Sequence, residues 1–242
     1  CQNGKLPELV IRENHILTIK QDINGGTSLS SLARVDSIAR AVGPGQHFAQ
    51  IYTKVMMAIE DQLLTVDHDA AIFIRDFETY FLDYFLIACQ QYRDVSMPLN
   101  SPWQNYFSNP GIDPVRLTVM GINTHVNADF WPTLVKNFEE KDIRLYWKDL
   151  LRCQSSVAKA FYTFYDSVFQ QSPYIRLMHG ITKGTVKNLG ERIIFKWRKR
   201  QIKLALLYFE DQRRFSRKLR LVNRKKERVD RKLVSGLKLM LP

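Results

Sequence analysis

The chain has 242 residues, 45% of them hydrophobic and 12% aromatic, which is the composition of a folded protein with a substantial core and not of a disordered one. Its net charge of +12 is uneven: residues 183–242 hold 20 Lys/Arg against 5 Asp/Glu, whereas the rest of the chain holds 16 against 19. The basic character belongs to the C-terminal quarter, so the overall pI gives no ground for a nucleic-acid partner. No apolar run approaches the ~20 residues of a membrane-spanning helix.

The first residue, Cys1, is followed by the small polar run Gln2-Asn3-Gly4. That resembles the mature end of a bacterial lipoprotein, where a cleaved signal peptide leaves an acylated cysteine. Cys89 and Cys153 are then expected as buried thiols, and the three cysteines form neither a Cys-x-x-Cys nor a zinc cluster.

Gly and Pro cluster at 25–26, 43–45, 98–102 and 110–114, and the spans between them read with helical period. A first helix is expected over 28–42. A second, over 46–64, carries Phe48, Ile51, Tyr52, Val55 and Ile59 at helical spacing. Asp67 or Asp69 caps a third that runs to about Tyr92.

Asp113 followed by Pro114 predicts a strong helix start, and Pro132 inside the helix that follows predicts a bend near Ala128. A fifth helix is expected over 141–169, with an aromatic stripe through Phe161, Phe164, Tyr165 and Val168. A last one runs from about 181 through Trp197 and Tyr208 toward Leu221. The chain thus reads as all-α: a linker over 1–27, a single bundle-like multi-helix domain over 28–210, and a basic helical tail over 211–242 that projects or lies on the surface.

Residues 121–129, Gly-Ile-Asn-Thr-His-Val-Asn-Ala-Asp, put four polar side chains among apolar neighbours. Buried polar groups are costly unless paired, so the segment builds either an internal network or a site. His125 and Asp129 are i, i+4 on one helix face, and Asn123 and Asn127 are i, i+4 on roughly the opposite one. One pocket cannot hold all four in a regular helix, so one pair is structural, the asparagines bridging neighbouring helices. The other pair fits three roles: a buried ion pair, two ligands of a divalent metal, or a carboxylate orienting a histidine base.

These residues resemble the hallmark of an uncharacterised, mainly bacterial helical family, in which Gly-Met-Asn-Ala-His-Ile-Asn-x-Asp-Leu-Pro is typical. Phe48-x-x-x-Tyr52, the run Phe77-Glu78 to Phe81 and Tyr84, Pro102-Trp103 with Phe107, and Gly111-Ile112-Asp113-Pro114 follow in the family's order. Asn123, His125, Asn127 and Asp129 match its signature, and Glu78 stands where an acidic residue is usual. Here Phe130-Trp131-Pro132 replaces the usual Leu-Pro and shifts the proline by one residue. The resemblance implies a helical domain of unknown function and carries over no activity.

Glu78 shares its predicted helix with Phe77, Phe81 and Phe85, where an acid needs a partner. With His125 and Asp129 it would give a three-ligand metal site open to water, suited to hydrolysis. His15, His47, His68 and His179 are scattered, and Asp67-His68-Asp69 reads as a helix cap. There is no nucleophile elbow, phosphate loop or His-Glu-x-x-His. In the basic C-terminal region, from Lys196 on, Trp197, Leu204, Tyr208, Phe215, Leu219 and Val222 run as a broken apolar stripe among the charges. That pattern fits a solvated face or a helix on an anionic bilayer better than a nucleic-acid ridge.

The sequence therefore leads to the expectation of a bacterial cell-envelope lipoprotein, membrane-anchored through Cys1 and facing the periplasm or the outside. Its helical domain would carry a His125/Asp129 site, with Glu78, for a small ligand or divalent metal and for hydrolytic chemistry. The alternative is a non-catalytic envelope scaffold that docks to membrane through its tail.

Overall fold

Two aspartates start the helices that carry the site, as their sequence context predicts. Asp67 caps the helix His68–Arg93 by accepting from the Asp69 N–H, and Asp113 caps the helix Pro114–Thr124 by accepting from the N–H groups of Val115 and Arg116, with Pro114 in the first turn. Each such cap stabilises its helix by about 1 kcal/mol.

The computed structural model describes residues 35, 43–96, 98, 101–153, 155–158, 160, 163 and 186–236. In chain order the helices are α1 (Gly45–Leu63), α2 (His68–Arg93), the short α3 (Gln104–Phe107), α4 (Pro114–Thr124), α5 (Phe130–Asn137), α6 (Glu140–Arg152), α7 (Val186–Glu210) and α8 (Gln212–Ser235). The protein is all-α, with no strand among the described residues. The helix expected over 28–42 lies outside them apart from Val35, which is helical and fully buried. Cys1 and the stripe at Phe161, Phe164, Tyr165 and Val168 also lie outside.

Between α4 and α5 the chain does not simply bend. A π-helical turn over His125–Asp129 joins the two helices. Pro132 has no N–H to offer the carbonyl four residues back at Ala128, and the wider turn absorbs that missing bond. The Thr133 hydroxyl donates to the Asp129 carbonyl at 2.7 Å within the same stretch.

Two predicted helices prove to be interrupted. The one expected over 141–169 is broken after Arg152, with Cys153 in a turn and its N–H donating to Asp149 O; among the described residues beyond the break, 155–158, 160 and 163 are helical again. The one expected from 181 to 221 is split by Asp211, whose backbone is extended (φ −155°, ψ 93°) and whose side chain accepts from the Arg214 N–H at 2.8 Å. Asp211 is an N-cap set inside a run of helix formers, where periodicity alone passes over it.

The second break alters the reading of the C-terminus. Helix α8 neither projects nor lies loosely on the surface but packs on α4 and the π turn, with Phe215, Val222, Lys226, Asp230 and Leu233 buried. Its end is closed by Gly236 at φ +69° and by Arg116 of α4, which donates from Nε to the Leu233 carbonyl at 2.8 Å. The expected domain boundary near 210 therefore falls between two packed helices. Leu204, Phe215 and Val222 form a small core of their own, with Trp131, Leu207 and Leu219 against it. The apolar stripe expected to meet a bilayer is largely consumed in packing α7 against α8.

Two larger cores flank the π turn. One gathers Phe48, Phe85, Trp103, Tyr106, Phe107, Leu117, Met120 and Leu233. The other gathers Phe73, Ile74, Phe77, Phe81, Phe130, Leu134, Ile143, Leu150 and Ile202. A fully buried side chain of this size contributes roughly 1.5–3 kcal/mol, so both cores are strong enough to hold polar groups between them.

Candidate functional site

The His125 ring meets both cores. It stacks on Phe81 with centroids 3.5 Å apart and planes 17° apart, and Phe48 and Tyr52 meet it edge-on at 5.2 and 5.1 Å. Gly121, one turn earlier, is what lets α1 come this close: a Cβ there would lie 2.8 Å from Phe48 Cδ2. With the ring clamped on three sides, only its two nitrogens remain to be satisfied.

Nδ1 lies 3.0 Å from Asp129 Oδ2, and the same oxygen accepts from the indole Nε1–H of Trp103 at 2.9 Å. An indole can only donate, so Oδ2 accepts from it; burial pushes the Asp129 carboxyl up while the hydrogen bonds from His125 and Trp103 hold it down, and with Asp129 ionised the proton between it and the imidazole sits on Nδ1. Burial is the largest influence on the imidazole and lowers its pKa, against the raising effect of Asp129. His125 is therefore neutral at pH 7, with Nδ1 protonated and the lone pair on Nε2.

Nε2 is shut away from solvent and has no hydrogen-bond partner. Thr124 Oγ1, Arg200 Nε and Gln201 Oε1 are the other such atoms among the described residues, and of the four residues His125 alone lines the cavity beside the ring. That cavity has a volume of about 60 Å³, room for a few waters or a group the size of an acetyl. Its walls are largely apolar, from Phe48, Ile51, Val55, Phe81, Ile122 and Phe130, and three further polar side chains enter it: Tyr52, Glu78 and Arg198.

Glu78 is buried, and its carboxyl accepts from the Tyr52 hydroxyl at 3.3 Å. Burial pushes its pKa up to about 7, with the Arg198 charge and the Tyr52 hydrogen bond acting in the opposite direction. Arg198 is buried too, donates to the Leu150 carbonyl at 3.0 Å, and lies 5.6 Å from the Phe130 ring centre. The cavity thus joins a neutral imidazole to a carboxyl that keeps its proton close to neutrality.

Asparagines 123 and 127 face the other way. The Asn127 amide donates to Asn123 Oδ1 at 2.9 Å, and Asn123 donates to Asp230 Oδ1 at 2.8 Å and to the Lys226 carbonyl at 3.1 Å. Arg200 and Gln201 of α7 donate to Asn127 Oδ1 at 2.7 and 3.3 Å. Asp230 is paired with Lys226 at 2.9 Å. This network ties the π turn to α7 and α8, and it touches no residue that lines the cavity.

The residues expected to share a metal are not gathered. Asp129 stands behind the ring on Nδ1 and does not line the cavity, which leaves one imidazole nitrogen and the Glu78 carboxyl. Two donors fall short of the three protein ligands of an open metal site, and no group of three or more His, Cys, Asp or Glu among the described residues is placed to hold an ion. Cys89 and Cys153 are free, buried thiols, pushed up by burial to about 12 and about 11.

A model of the family of unknown function DUF5995 matches residues 29–235. The chain belongs to that family. The matched span contains all eight helices of the described residues and reaches the last residue of α8, in keeping with the packing of that helix on α4. No curated protein and no solved structure matches the chain. No helix among the described residues is long and apolar enough to cross a membrane.

Several members of the site left little trace in the sequence. Trp103 and Tyr52 stand in aromatic segments that read as core, and nothing local shows that the indole N–H meets Asp129 or the hydroxyl meets Glu78. Arg198 sits in a basic run, 196–200, where it is indistinguishable from its solvated neighbours until the fold buries it.

Proposed function

We propose that this protein binds a small polar molecule, or the reactive group of a larger one, in the cavity beside His125 and carries out acid–base chemistry there. Hydrolysis of an acyl or similar bond is the reaction class that suits these groups. The observation that carries this reading is His125 Nε2, a buried acceptor with no donor to meet it, on a ring that lines the cavity. Buried polar atoms are otherwise almost always paired, and leaving one open is costly in a purely structural element.

In this reading Nε2 takes a proton from water or from a ligand hydroxyl. Asp129, fixed by Trp103, orients the ring and stabilises the imidazolium that forms. Glu78, protonated up to about pH 7, supplies a proton to the departing group, and Arg198 offers positive charge to the oxygen on which negative charge develops. The π turn supports the reading as well, since such turns recur at functional sites.

Short-chain nitrophenyl esters test it, because an acetyl group matches the size of the cavity. The expected result is turnover by the wild-type protein that falls about 10²-fold or more in His125→Asn and in Asp129→Asn, with the circular dichroism of both variants unchanged. A wild-type rate no greater than that of the variants rejects catalysis at this site.

A further inference from the structure

Helices α7 and α8 present a second concavity, unrelated to the first: no residue lines both. Its volume is about 240 Å³, and its lining is Arg200, Lys203, Leu204 and Leu207 from α7 with Lys218, Leu221, Val222 and Lys225 from α8. Each helix contributes residues at i, i+3, i+4 and i+7, so the two stripes face each other along the hairpin. The floor is hydrocarbon and the polar lining is entirely cationic, with no carboxylate among the residues that form it.

Two observations set this groove apart from an ordinary solvated face. Lys203, Lys218 and Lys225 are exposed and form no ion pair among the described residues, although Glu210 and Glu227 lie on the same two helices and Asp211 between them. Arg200 is half-buried; Asn127 Oδ1 is its hydrogen-bond acceptor, and its Nε–H has none. Four cations around one apolar cleft, neutralised by nothing in the protein, are complementary to a ligand that is anionic at one end and hydrocarbon at the other. Leu221, 46% exposed beside these cations, is the surface such a ligand would cover.

We infer that the α7–α8 groove binds a single-chain anionic amphiphile bearing a phosphate monoester head. The phosphate would lie among Arg200, Lys203, Lys218 and Lys225, and the alkyl chain along Leu204, Leu207, Leu221 and Val222. Phosphate is favoured over carboxylate because a monoester carries up to two charges and three acceptor oxygens, which better matches four converging donors.

Calorimetric titration of the full chain with octyl phosphate, below its micelle concentration, tests the inference. One site per chain is expected. Binding should weaken at least tenfold in the double variant Lys203→Glu/Lys225→Glu, whose thermal midpoint should stay at the wild-type value because both side chains are exposed and unpaired. A tenfold loss should also follow when inorganic phosphate replaces the amphiphile. Equal binding of octyltrimethylammonium would show a merely greasy cleft, and equal binding of inorganic phosphate a simple anion site. Tighter binding of a short oligonucleotide would show a nucleic-acid surface. Each of these, like the absence of binding, overturns the inference.

Discussion

The two faces of the π turn carry the same kind of pair, an i, i+4 couple of polar side chains, and end in opposite states. On the α7–α8 face every side-chain oxygen and nitrogen of Asn123 and Asn127 is engaged, and the chain of bonds continues to Asp230, Lys226, Arg200 and Gln201. On the cavity face Asp129 holds Nδ1 of His125, and Nε2 is left without a partner. The fully bonded asparagine pair fixes helices in place, although Arg200 Nε and Gln201 Oε1 beyond it have no partner; the open acceptor of the histidine pair belongs to a ring that lines a cavity, and so has something left to bind.

Breaking the asparagine face should have the largest effect. Asp230→Ala removes the acceptor of Asn123, Asn105 and Lys226 together and leaves the Lys226 ammonium buried without its carboxylate. Loss of one partner from a buried pair costs about 3–5 kcal/mol, and urea denaturation should show a drop of that order. A loss below 1 kcal/mol would mean that α8 is not held through this network.

An intermediate effect is expected at Glu78, where it appears as a pH dependence. Its folded pKa of about 7 lies above the ordinary value of 4.5. As pH rises from about 4.5 the unfolded chain gives up this proton first, so the folded state binds more protons and stability falls until about pH 7. Relative to Glu78→Gln, the wild-type protein should lose on the order of 3 kcal/mol across that window, a shift of one pK unit being worth about 1.4 kcal/mol. Parallel stability curves for the two proteins would show that Glu78 ionises freely in the fold.

The smallest stability effect should come from the residue that matters most to the proposed chemistry. Asparagine at position 125 keeps an N–H near the place of Nδ1 and gives up Nε2. His125→Asn should therefore cost only about 1–2 kcal/mol, mainly from the enlarged cavity, while lowering turnover about 10²-fold or more. A destabilisation as large as that of Asp230→Ala would put His125 on the architectural side of the comparison.

Much of this arrangement was legible in the chain because it is local. The caps at Asp67 and Asp113, the helical period of α1 and α2, and the opposed i, i+4 pairs need only residues a few positions apart. What escaped depends on distance or on competition. Asp230 and Lys226 meet Asn123 across more than a hundred residues, and their charges merge with the basic run around them. Glu78 was placed on the right helix, but the tilt that gives its carboxyl to Tyr52, away from Asp129, is set by packing between α1 and α2. Asp211 was hidden because α7 and α8 both have strong helix formers on either side of it. Pro132 announced a disturbance near Ala128 without saying that the backbone would answer with a π turn.

Nitrogen-15 NMR of the histidine side chains, with His125 assigned by its absence in His125→Asn, tests the central claim most directly. At pH 7 the account predicts a neutral ring with a protonated Nδ1 and a bare Nε2, because burial outweighs the pull of Asp129. A fully protonated imidazolium at that pH would contradict it, and the pair would then be an ion pair holding helices together.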